Sequence, residues 1–221
     1  TTNGSSECIE STRTRVADAG QRRGFGEGPR GGAAASVGWA ALCALVLAAE
    51  GTGEEGLRAL VRATARFALV LFMAAYTASS LRRLVRVPAT AWLLRNRRYL
   101  GLSFAVAHAA HAVAIGLLAL RLGDAFHTRP ASLALGSLGY VFVAALAATS
   151  SDRAVAWLGA ARWRLLHRVV VHYLWGIFAV TEIPAALRSP VHFALAALVA
   201  AGAAVRLAAL RARSRREPAD R

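Results

Sequence analysis

The sequence contains no lysine at all: its 27 basic residues are all arginine, set against 12 acidic ones in 221 residues. Together with heavy alanine use, that points to coding bias rather than to function. Cysteine is also scarce. Cys8 lies in a polar stretch and Cys43 in an apolar one, so no disulfide between them is expected, and no metal-binding cysteine spacing exists. A glycine-rich dinucleotide fingerprint and a P-loop are both missing, which leaves nicotinamide and flavin chemistry without a home in this sequence. The chain begins at Thr1 rather than methionine, so a preceding segment stays open.

What is present is apolar. Hydrophobic residues make up 56% of the chain and come in long blocks, the pattern of a polytopic membrane protein. The net charge of +15 suggests nucleic acid at first sight, but the arginines sit between apolar blocks, where they read as topology signals. No nucleic-acid partner is expected; the partner read from composition is membrane lipid.

Six apolar blocks follow in order, over about 33–49, 57–81, 99–122, 131–149, 165–187 and 191–210. Arginine concentrates in residues 1–32, in the second connector (Arg82, Arg83, Arg86, Arg95, Arg97, Arg98), in the fourth (Arg153, Arg162, Arg164) and after the last block (Arg211, Arg213, Arg215, Arg216). The alternate connectors are short and poor in arginine. The expectation is an all-α polytopic bundle of six transmembrane helices over 33–210, with a disordered tail at 1–32 and a basic tail at 211–221, both cytoplasmic. Trp92, Trp163 and Trp175 stand where an aromatic belt would be, and His127, Glu182 and His192 near block ends.

Four histidines fall inside two of the blocks: His108 and His111 in the third, His167 and His172 in the fifth. Ionisable groups at such depth usually face the bundle interior and mark a relay, a ligand or a cofactor. Neutral imidazoles from two helices can supply axial ligands to a haem iron. As helices, His111 stands about 21 Å above Arg97 and His108 about 16 Å, while His172 stands about 12 Å above Arg164 and His167 about 5 Å. By level, His108 pairs best with His172. His167 and His172 are about 140° apart around their helix, which disfavours a shared iron.

The connectors add a set of short motifs: RRYLGL at Arg97–Leu102, with His111 after it, TRPASLALG at Thr128–Gly136, Thr149-Ser150, and WRLLHR at Trp163–Arg168. In this order and spacing, over roughly Arg62 to Trp175, they resemble the ferric-reductase-like transmembrane domain family, and within it the haem-binding subunits of bacterial protein-methionine-sulfoxide reductases. The resemblance implies a six-helix protein of the bacterial inner membrane that holds b-type haem, one or two, and passes electrons across the membrane. It matches His111 and His167 to the family's haem-ligating histidines and Arg97 to an arginine near the inner haem. The family pattern continues with a second histidine thirteen residues beyond the first on the fifth helix, where this chain has Val180.

Three versions of a site follow: one haem between His108 or His111 and His172, one between His111 and His167, or an inner haem on His167 with Arg97 nearby. Flavin is expected only on a partner, so the donor is a flavin reductase or quinol and the acceptor a periplasmic redox partner. The competing reading is a haem-free transporter or assembly subunit, for which Val180 speaks. A stand-alone ferric or cupric reductase is a third, but the outer connectors carry no metal-ligand cluster.

Overall fold

The computed structural model describes residues 29–215, and within them every regular element is helical. The stretch 1–28, most of the expected disordered tail, and the end of the basic tail lie outside the described residues. In order the helices are α1 (Pro29–Glu50), α2 (Glu54–Leu84), α3 (Pro88–Leu122), α4 (Pro130–Ala148), short α5 (Asp152–Leu158), α6 (Ala160–Glu182) and α7 (Pro190–Ser214). Five of them, α2, α3, α4, α6 and α7, are long and apolar enough to cross a membrane. The apolar part of α1, Val37–Glu50, is shorter. Six long helices therefore correspond to the six apolar blocks in a multi-pass, all-α membrane bundle.

Helix ends depart from the block edges where local chemistry dictates. The second basic connector is mostly helix: only 85–87 separate α2 from α3, and Arg95, Arg97 and Arg98 ride on the first turns of α3. Pro88 at the start of α3 needs no hydrogen-bond donor, and the Thr90 hydroxyl accepts from the Val87 amide, so the helix starts there rather than at the membrane edge. Conversely α6 stops at Glu182, because Pro184 cannot continue it. Gly159, at φ +82°, lets the chain turn from α5 directly into α6.

The long helices close into a ring in which α2 packs on α3, α3 on α4, α4 on α6, α6 on α7 and α7 back on α2, with α1 against α2 and α3. In hydrocarbon, helix association rests on close packing and interhelical hydrogen bonds rather than on expelling water. Small residues supply the close approach: Ala68, Ala78, Ala107 and Gly202 are buried, and a Cβ on Gly202 would collide with the Met73 side chain of α2. Phe72 is the hub, stacked with Tyr76 and tilted against Phe104 of α3 and Phe178 of α6, at centroid distances of 5.5, 5.3 and 5.3 Å. Hydrogen bonds tie the ring laterally: Tyr173 Oη donates to the Leu135 carbonyl (2.7 Å) and Trp175 Nε1 to that of Val199 (3.2 Å).

A candidate cofactor cavity

The ring encloses a cavity of about 680 Å³, lined from all five of its helices and from α5. That volume lies within the usual range for small-molecule sites, roughly 300–1,000 Å³. Its apolar wall includes Phe72, Phe104, Val143, Leu146 and Leu174. Its polar rim comes from the end of the bundle where α2, α4 and α7 finish and α3 and α6 begin, so the basic connectors converge on it. Arg83, Arg97, Arg98, Arg164, Arg168 and Arg206 all line it, against one acidic residue, Asp152. That carboxylate is taken by Arg98 (3.0 Å), which also ties α5 to α3 at the rim.

Both imidazoles in the cavity belong to α6. His167 stacks on Trp163, one turn earlier, at 5.0 Å and 16° between planes. Trp163 is itself pinned by its Nε1 donating to the Thr149 carbonyl (3.0 Å). His172 has its Nδ1 2.7 Å from the Arg168 carbonyl. A carbonyl only accepts, so Nδ1 carries the proton and Nε2 keeps its lone pair, the arrangement that ligating histidines show. The ring of His172 also meets Tyr76 edge-on at 6.2 Å.

His108 and His111 do not line the cavity. They form a second group, on the far side of Phe104, whose ring lines the cavity and packs on His108 at 5.2 Å. His108 lies 4.6 Å from the Tyr140 ring and 5.8 Å from that of His111. Its Nδ1 is buried with no hydrogen-bond partner among the described residues. Thr64 Oγ1 contacts His111 Nδ1 at 3.1 Å. The single hydroxyl proton of Thr64 goes to the Leu60 carbonyl at 2.8 Å, so Oγ1 accepts from Nδ1–H. Of the five residues singled out from sequence, the structure thus gathers Arg97, His167 and His172 around one cavity and sets His108 and His111 apart. Val180 is 65% exposed on the outside of α6.

Other polar residues join helices. Trp163 and Trp175 each donate an indole hydrogen bond to a carbonyl outside their own helix, those of Thr149 and Val199. Glu182 Oε2 and His192 Nδ1 share a 2.9 Å hydrogen bond between the end of α6 and the start of α7. Sequence reasoning missed Tyr76, Thr64 and Arg206. For Arg206 the signal existed, a lone arginine within the sixth apolar block.

The donor set suits a planar iron porphyrin: an apolar slot, imidazole nitrogen on one wall and guanidinium groups at the mouth for acidic side chains. No group of three or more His, Cys, Asp or Glu side chains able to hold a bare metal ion occurs among the described residues. No family model and no solved structure matches the chain. A curated relative, the protein-methionine-sulfoxide reductase heme-binding subunit MsrQ of Ralstonia nicotianae, is 31% identical over 135 residues, which cover 56% of this chain and 61% of the relative. The matched part is less than two thirds of that relative's length. The resemblance drawn from the connector motifs is thereby borne out over the matched part: this multi-pass helical protein is similar to a subunit named for haem binding.

Proposed function

We propose that the chain is a membrane electron-transfer subunit that holds one b-type haem in the arginine-rimmed cavity, where His167 would ligate the iron and Arg97 would stand nearby. The observation that carries this reading is the convergence of an imidazole wall, an apolar slot and six arginines against one acidic residue on one cavity of ligand size. The similarity to a subunit named for haem binding points the same way. His172, whose Nδ1 is taken by the Arg168 carbonyl, is the other α6 imidazole within the cavity, and His172→Ala tests it by the same spectrum.

When bound, haem supplies a one-electron ferric/ferrous couple. The chain's own residues do the rest. Trp163 holds the His167 ring in plane, Phe72 and Phe104 exclude water from the inner wall, and the arginines bind acidic groups at the rim. By the positive-inside tendency the rim faces the cytoplasm, with both termini there, in a bacterial inner membrane. Electrons then enter from a flavin reductase or quinol and leave towards a periplasmic partner. The test is a dithionite-reduced minus oxidised absorbance spectrum of detergent-purified protein produced with added haem precursor. A b-type spectrum that disappears in His167→Ala supports the reading, and colourless wild-type protein overturns it.

A further inference from the structure

Arg206 lies outside the stretch that carries the family resemblance, yet it enters the same cavity from α7. Its guanidinium carbon stands 4.4 Å from the centroid of the Tyr76 ring, and its Nη1 donates to the Tyr76 carbonyl across the α7–α2 interface at 3.2 Å. A guanidinium offers five donors in a fixed plane, so one such bond orients the group and leaves the others available. Arg206 is also within electrostatic reach of Arg97 on α3 and of His167 on α6. Two partly buried guanidiniums therefore stand near each other, and the one acidic residue of the cavity, Asp152, is occupied by Arg98. Like charges brought together in an apolar bundle are favourable only when an anion neutralises them.

We infer that Arg206, braced on Tyr76, acts with Arg97 as a clamp for the carboxylate side chains of the porphyrin in this cavity. The inference rests on the haem reading above and adds to it a residue on the last helix. Planar bidentate pairing with carboxylate is what arginine supplies and lysine does not. The stack on Tyr76 holds the fork open in advance.

The experiment is a titration of haem-depleted, detergent-purified full-length protein with haemin and with haemin dimethyl ester, whose carboxylates are masked, for wild type, Arg206→Gln, Arg206→Lys and Tyr76→Leu. A charge-assisted hydrogen bond is worth roughly ten- to a hundredfold in affinity. Wild type should therefore prefer haemin over the ester by about that factor. Arg206→Gln should lose most of this preference while binding the ester as wild type does, and Arg206→Lys should recover only part of it. The midpoint potential of haem-loaded Arg206→Gln should fall, because a nearby cation that favours the reduced form is gone. Equal losses for haemin and ester, or no change in either, would overturn the clamp and leave Arg206 as a helix-packing residue. Failure of wild type to bind either compound overturns the haem reading, and the clamp falls with it.

Discussion

The two histidine groups of this bundle keep different company. His167 and His172 open on a cavity rimmed by six arginines, whereas His108 and His111 are packed among Phe104, Tyr140 and Thr64 beyond its wall. Both pairs share residue type, apolar flanks and helical setting. What separates them is what their helices face. On the cavity side arginines of α2, α3, α6 and α7 line open space beside the α6 imidazoles. On the other side α2 and α3 pack closely through Ala68, Ala107 and the Thr64–His111 hydrogen bond. Two histidine pairs of like sequence setting thus end in different surroundings, one beside open space and one within packed side chains.

That contrast can be broken most directly by filling the cavity. Leu146→Trp places a large ring into the slot, and overpacking costs of about 1–3 kcal/mol should lower haem retention roughly tenfold or more while the far histidine group is undisturbed. Retention is read as haem per chain after detergent exchange. Next, Arg97→Gln should weaken haem retention roughly tenfold, the lower end of a lost charge-assisted contact, without changing thermal stability of the haem-free protein. Gly202→Val tests the scaffold: collision with Met73 at the α7–α2 contact should destabilise the bundle by about 1–3 kcal/mol, read by unfolding in mixed detergent. The smallest effect belongs to the second group. Thr64→Val removes the acceptor for His111 and should cost about 0.6 kcal/mol, the average for such bonds within membranes, with the haem spectrum unaltered.

The fold was legible because six apolar blocks separated by arginine clusters leave few arrangements. The helix starts were less so: a proline at the head of α3 and an unbroken run to Arg98 extend it past the block edge, which hydropathy alone does not register. Of the candidate site, His167 and His172 were visible as histidines inside the fifth apolar block and Arg97 as part of the second basic connector. Their separation from His108 and His111 was not, since depth along a helix says nothing of which neighbour approaches it. The level match of His108 with His172 is a case in point: equal height does not bring them to one cavity. Arg206 stood out as a lone arginine in the sixth apolar block, but its contact with Tyr76, 130 positions away, is encoded by no local pattern.

The central claim, that the haem belongs to the arginine-rimmed cavity, is tested most directly by pyridine haemochrome stoichiometry on purified His167→Ala and His111→Ala. The account predicts that His167→Ala is colourless and His111→Ala retains wild-type haem content. Loss of haem in His111→Ala with full retention in His167→Ala would contradict it.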